Sequence, residues 1–223
     1  FHNPTGATMP TARREALFAL AEARGIPIDE DSPYRRVRFD GPDAPLLKAL
    51  DRSGSVFHLG TFSKLVGPGP RIGWVAAEPA LVARMVQLKS EGGSSPLIQR
   101  TIYEFARSDQ FPKHIARVQS AYRERRDHIV AAIARELPDA AVAVPEGGYY
   151  VWLTLPEHVD GDLLAARAHE AGVHLIAGSR FFAAQSATAP RNHIRLSYSY
   201  TTPEQIDDGV RRLGAVYGAL AGQ

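Results

Sequence analysis

The chain has no cysteine among its 223 residues. That excludes a disulfide framework, a thiol nucleophile and a thiolate metal site. No apolar run approaches the roughly 20 residues that span a bilayer, and no charged-then-apolar leader opens the sequence. These absences predict a soluble, cytoplasmic protein with no membrane partner. An excess of charge of one sign is also missing: the formal net charge is +2, and the hydrophobic and charged fractions, 44% and 22%, are those of an ordinary globular protein. The densest basic group, Arg123, Arg125 and Arg126, sits beside Glu124 and Asp127. It reads as a solvated helix face, so no nucleic-acid partner is expected. His169 and His174 are read as surface residues that do not face one another, and no metal is assigned. An initiator Met is absent as well. The chain opens on the turn signal Phe1-His2-Asn3-Pro4, and we expect a segment of a longer protein.

What is present is strand and helix in alternation. Ala16, Leu17, Leu20 and Ala21 form an apolar stripe that predicts a helix over 10–24, with Gly25 just past its end. Short strands are predicted at 25–28, 55–59 and 71–77, and helices at 79–91 and 96–107. A long helix is predicted over 112–137. Beyond Pro138 come strands at 148–155, 174–177 and 193–200, a helix at 162–171 and a final helix. That last helix opens on Thr202, Pro203 and Gln205, the pattern of a capping box. The fold class is therefore α/β in the first half, with a mainly parallel sheet, and a smaller α+β domain in the second. The domains are drawn at 1–111 and 112–223.

The chemistry concentrates in GTFSKLVGPGPRIGW, Gly60 to Trp74. Lys64 follows a predicted strand, where open α/β sheets place ligand-binding groups. Thr61 and Ser63 offer hydroxyls on the same turn, and Arg71 follows a loop stiffened by Pro68 and Pro70. Hydroxyls with a guanidinium make a phosphate clamp. A lysine amine beside a phosphate-bearing carbonyl compound suggests a Schiff base. The loop is not a Walker A motif, because the Gly-Lys-Ser/Thr ending is absent.

Five blocks, HNPTG, DEDSPY, GTFSKLVGPGPRIGW, GGYYVWL and HIRLSYS, resemble in order the signatures of class I/II aminotransferases. Those enzymes use pyridoxal phosphate and have the aspartate-aminotransferase fold, fold type I. The wording of the blocks most resembles the 2-aminoadipate and related broad-specificity members. The resemblance implies an enzyme that moves an amino group between an amino acid and a 2-oxo acid through a Schiff base on Lys64. It implies that Asp31 pairs with the cofactor's ring nitrogen, that Tyr34 and Asn3 hydrogen-bond its phenolic oxygen, and that Thr61, Ser63 and Arg71 hold its phosphate. Arg195 would take the substrate α-carboxylate as a bidentate fork, with Asn3 beside the substrate, and domain closure would exclude water. It further implies a cytoplasmic homodimer in amino-acid metabolism and biosynthesis, built from the whole protein. This segment alone is expected to be inactive or poorly folded.

Each motif has a plainer reading. Asn3-Pro4-Thr5-Gly6 alone is a turn. Asp29-Glu30-Asp31 alone could be a metal-binding acid cluster, but no histidine stands at ligand spacing, and Asp29 and Glu30 are read as structural or solvated. Tyr149, Tyr150 and Trp152 read as strand core, with a substrate contact by one near Gly148 as the alternative, and Arg180, Phe181 and Phe182 as loop and packing. Pro27 is ill-placed for a central strand, and Pro70 stands where the family carries a large apolar residue before Arg71. Two other functions remain open on these residues: the aminotransferase-like domain of a winged-helix transcription regulator, and a pyridoxal-phosphate lyase or decarboxylase on the same fold. HNPTG favours the free-standing enzyme.

Overall fold

The computed structural model describes residues 1–90, 93–183 and 189–222. The expected end of one helix at Glu91, with Gly92 after it, lies outside the described residues. The chain divides into two compact units, one of residues 8–119 and one of residues 1–7 with 120–223.

In residues 8–119, helix α1 (Thr11–Ala23) ends where Gly25 adopts a φ of 61°, a left-handed conformation that glycine takes without strain. Strand β1 (Ile28–Asp31) starts one residue after Pro27. The proline therefore costs no ladder bond, and Ile28 makes the first one, to Ser55 O at 3.0 Å. β1 lies parallel to β2 (Val56–Thr61), with Ile28 opposite Val56 and Asp31 opposite Leu59. β2 lies antiparallel to β3 (Gly73–Ala76), with Thr61 opposite Gly73. The parallel alternation expected for this half thus holds for β1 and β2 only. The loop from Phe62 to Ile72 falls short of the crossover of about a dozen residues that a parallel return needs.

Between β1 and β2 stands α2 (Leu47–Leu50), which no periodicity announced. Glu30 makes it possible. Its buried carboxylate accepts from Leu47 N at 2.9 Å and Lys48 N at 3.0 Å, and Arg14 Nη1 lies 3.3 Å away. The middle acid of Asp29-Glu30-Asp31 is a helix cap. Helices α3 (Pro79–Leu88) and α4 (Pro96–Ala106) each begin on proline, where a missing N–H costs nothing.

Helix α5 (Gln110–Glu136) contributes to both units. In the second unit, β4 (Ala141–Val142), β5 (Tyr150–Thr154), β6 (Ile176–Ala177) and β7 (His193–Ser197) form an antiparallel sheet in the order β4-β5-β7-β6. Helices α6 (Gly161–Glu170) and α7 (Pro203–Ala221) complete it. Alternation along the strands buries Val151, Leu153, Ile194 and Leu196, each worth about 1.5–3 kcal/mol. Leu164, Val210, Leu213 and Ile133 fill the same core. α7 carries the capping box read from sequence: Gln205 N donates to Thr202 Oγ1 and Thr202 N to Gln205 Oε1.

Two sequence readings are corrected in this unit. Arg126 is not on a solvated face. It is 5% exposed and donates to Pro145 O and Asp127 Oδ1, each at 2.6 Å. His169 and His174 do face one another, Nδ1 to Nδ1 at 2.9 Å. The turn at Ala171–Gly172 folds the chain back after α6, which counting along a continuous helix could not foresee.

Candidate active site

The C-terminal ends of the parallel pair β1 and β2 carry the residues singled out in GTFSK and DEDSPY. Asp31 closes β1 with an exposed side chain. The next residue, Ser32, bonds through its N–H to Leu59 O on β2 at 3.1 Å. β2 ends at Thr61, whose Oγ1 lies 3.0 Å from Ser63 Oγ and 3.1 Å from Ile72 O, and accepts from Ser63 N at 3.1 Å. One hydroxyl thus ties both limbs of the loop together. Phe62 O accepts from Leu65 N and Val66 N, winding the chain into a turn with Lys64 on it. Lys64 Nζ lies 5.7 Å from the centroid of the Tyr34 ring, within cation–π range. Tyr34 is buried, so the amine rests against a fixed surface.

Arg71 leaves the loop at a φ of 55°, the only positive value at a non-glycine residue among the described residues. Such a conformation costs roughly 1–3 kcal/mol and tends to sit at functional positions. Its Nη1 donates to Pro68 O at 3.2 Å, and the side chain is exposed. A pocket of about 210 Å³ adjoins the loop, bounded in part by Ser32, His58, Thr61, Phe62, Leu65 and Trp74. His58 is buried, edge-on to Trp74 at 5.0 Å, with no partner for Nε2 among the described residues. Burial lowers its pKa, against the upward pull of Glu30 and Asp31.

Asn3 and Arg195 belong to the other unit. Arg195, on the half-exposed face of β7, donates from Nη1 to Asn3 Oδ1 at 2.7 Å. Among the described residues its guanidinium forms no ion pair, and its buried Nε has no partner. Sequence reasoning missed what surrounds it. Tyr150, read as strand core, lies beneath the guanidinium, whose carbon is 4.1 Å from the ring centroid. Phe181, read as loop packing, is 5.0 Å away. The signal was available in the period-two alternation of β5 and β7, which puts Tyr150, Trp152, His193 and Arg195 on one face. Among the described residues no three histidines or acids are grouped to hold a metal ion, and no helix is long and apolar enough to cross a membrane.

The family model for aminotransferase class I and II matches residues 1–213. Aromatic-amino-acid aminotransferase 1 of Thermococcus litoralis is 37% identical over 96% of this chain and 51% of its own length. The HTH-type transcriptional regulator YdfD of Bacillus subtilis, itself uncharacterized, is 33% identical over 99% of this chain and 45% of its own. The solved structure of LysN, the alpha-aminoadipate aminotransferase of Thermus thermophilus, complexed with N-(5'-phosphopyridoxyl)-L-leucine, superposes with a TM-score of 0.90. It is 32% identical, over 99% of this chain and 57% of that one. The chain spans about half the length of the curated relatives it matches. A lysine turn at the ends of parallel strands, the five ordered sequence blocks and a family match over nearly the whole chain agree: this chain belongs to the aminotransferase class I and II family.

Proposed function

We propose that the whole protein is a pyridoxal-phosphate-dependent aminotransferase that moves an amino group between an amino acid and a 2-oxo acid, with Lys64 as its central residue. The observation that carries this reading is the lysine turn: the Lys64 ammonium lies against the buried Tyr34 ring, beyond the paired ends of β1 and β2. The donor set fits the cofactor. Its aldehyde calls for an amine, its ring nitrogen for an anion, its phenolic oxygen for a hydrogen-bond donor, and its phosphate for hydroxyls and a cation. Lys64, Asp31, Tyr34, Thr61, Ser63 and Arg71 supply these from residues 8–119. Asp31 makes no ion pair among the described residues, which supports its role as counter-charge to a ligand.

Bound there, the cofactor would supply an aldehyde for the amino group and a ring that accepts the electron pair released at the substrate Cα. Lys64 Nζ would be the amine that takes the aldehyde and, once the substrate amine has displaced it, the base that accepts the proton from Cα. The Asp31 carboxylate would stand as counter-charge to the ring nitrogen, favouring its protonated form. The Tyr34 hydroxyl would donate to the phenolic oxygen, and Thr61, Ser63 and Arg71 would hold the phosphate. Arg195 takes the substrate α-carboxylate. Its lack of a counter-ion among the described residues supports this, since a half-buried cation without an acid partner favours an anionic ligand.

The test is a panel of the twenty amino acids with 2-oxoglutarate, assayed on the whole protein for the new amino acid. Lys64→Ala should lower turnover by at least about 10³-fold, and undiminished turnover would overturn the proposal. One observation favours a second reading, the effector domain of a transcription regulator, because YdfD is similar over 99% of this chain. Under that reading the panel gives no product and a promoter-length duplex is bound. We further propose a cytoplasmic homodimer serving amino-acid biosynthesis. The exposed Val86, Leu88 and Leu97 leave apolar surface to be covered, and sedimentation of the whole protein reads the subunit number.

A further inference from the structure

We propose that Tyr150 and Phe181 are positioning residues that clamp the Arg195 guanidinium between two aromatic rings. This inference rests on the reading of Arg195 as the α-carboxylate ligand. β7 lies between β5 and β6, with Arg195 opposite Trp152 on one side and Ile176 on the other. Tyr150, opposite Ser197, is the diagonal neighbour of Arg195 on the same face, close enough for a long side chain to meet a ring. β6 then passes directly into a 3₁₀ turn, Gly178–Phe181, which brings Phe181 to the guanidinium from the β6 side. Gly178 permits that approach, because any side chain there would collide with His193. Behind Phe181 stands Trp152, edge-on at 5.8 Å, and Trp152 in turn stacks on His193 at 5.2 Å. The clamp is therefore backed by a packed row rather than by two loose rings.

Aromatic rings suit this task for an electrostatic reason. A ring face attracts a guanidinium without neutralising it. An acid would orient Arg195 equally well but would compete with the incoming carboxylate. Held by Tyr150, Phe181 and, among the described residues, a single hydrogen bond to the neutral Asn3, the guanidinium keeps its charge and most of its N–H donors for the ligand. It is also spared rotamer freedom that binding would otherwise have to remove.

The experiment uses the whole protein and whichever amino acid the panel turns over fastest, comparing Tyr150→Leu, Tyr150→Phe, Phe181→Leu and Arg195→Ala. We expect Tyr150→Leu and Phe181→Leu each to raise KM for the amino donor about tenfold, with kcat changed less than about threefold, because the contact is made equally in ground and transition states. Tyr150→Phe keeps the ring and should stay within about twofold of the parent. A merely structural role would lower the melting temperature without this split. If Tyr150→Leu does not fold, Phe181→Leu, outside the sheet, carries the test. Unchanged KM in both leucine variants, or a Tyr150→Phe loss equal to that of Tyr150→Leu, would overturn the clamp while Arg195→Ala still raises KM. If Arg195→Ala leaves KM unchanged, the carboxylate reading itself fails and takes the clamp with it.

Discussion

Arg195 Nη1 donates to Asn3 Oδ1 at 2.7 Å, joining residues 192 positions apart. The amide oxygen fixes one arm of the guanidinium without adding charge. Hydrogen bonds to charged groups contribute about 1.5–3 kcal/mol, so Asn3→Ala in the whole protein should lower kcat/KM by roughly 10- to 100-fold. Asn3→Asp should be worse, because a carboxylate there would pair with Arg195 and repel the substrate. Steady-state kinetics on the two variants decides this, and Asn3→Asp outperforming Asn3→Ala would refute it.

Asp51 anchors the entry to β2. Its side chain is 0% exposed and accepts from Gly54 N, Ser55 N, Val56 N and Lys48 Nζ. Burial raises its pKa, but the bonds from Lys48, Val56 and Ser55 outweigh this and bring it to about 2. A carboxylate with a depressed folded pKa stabilises the protein above its unfolded value of 3.8, and that contribution disappears as pH falls toward 2. The loss amounts to about 2 kcal/mol. Denaturation of the whole protein at pH 5 and pH 2.5 should show a larger drop in the parent than in Asp51→Asn.

Much of this architecture could be read from local pattern, and what could not shares one cause. The capping box on α7 and the proline starts of α3 and α4 are local signals, complete within a few residues. Lys64, Thr61 and Ser63 were legible for the same reason, lying together on one turn. The misreadings of Arg126 and of His169 with His174, and the unforeseen contacts of Tyr150 and Phe181 with Arg195, all depend on partners supplied by tertiary contact. The register of β5 against β7, and the turns at Ala171 and Gly178, set the last two, and Pro145, between β4 and β5, supplies the first. Likewise, nothing in Phe1–Ala7 announces that it groups with residues beyond 119. α2 went unseen because Glu30, seventeen residues before Leu47, caps it.

His58 and His193 give the protein a second acid sensitivity. Burial lowers the pKa of both, below an ordinary value of 6.5. A histidine held neutral in the fold charges more readily once unfolded, so its contribution is intact above 6.5 and is lost as pH falls below that. Melting temperature should therefore begin to fall between pH 6.5 and 5, before the Asp51 loss sets in. His58→Gln should flatten that part of the profile, and an unaltered profile in both His58→Gln and His193→Gln would contradict the assignment.

Arg126 tests whether an arginine in a charged run is structural. Arg123 is exposed one turn earlier on α5, whereas Arg126 is buried and serves the carbonyl of Pro145. Removing it leaves that acceptor unpaired and opens space in a packed region, which together cost about 2–4 kcal/mol. Arg126→Lys should recover little, because an ammonium on a flexible stem cannot serve Pro145 O and Asp127 with one planar group. Arg123→Ala should stay within about 0.5 kcal/mol of the parent. Urea midpoints on the three variants separate these outcomes, and equal midpoints for Arg123→Ala and Arg126→Ala would return the whole cluster to the solvent.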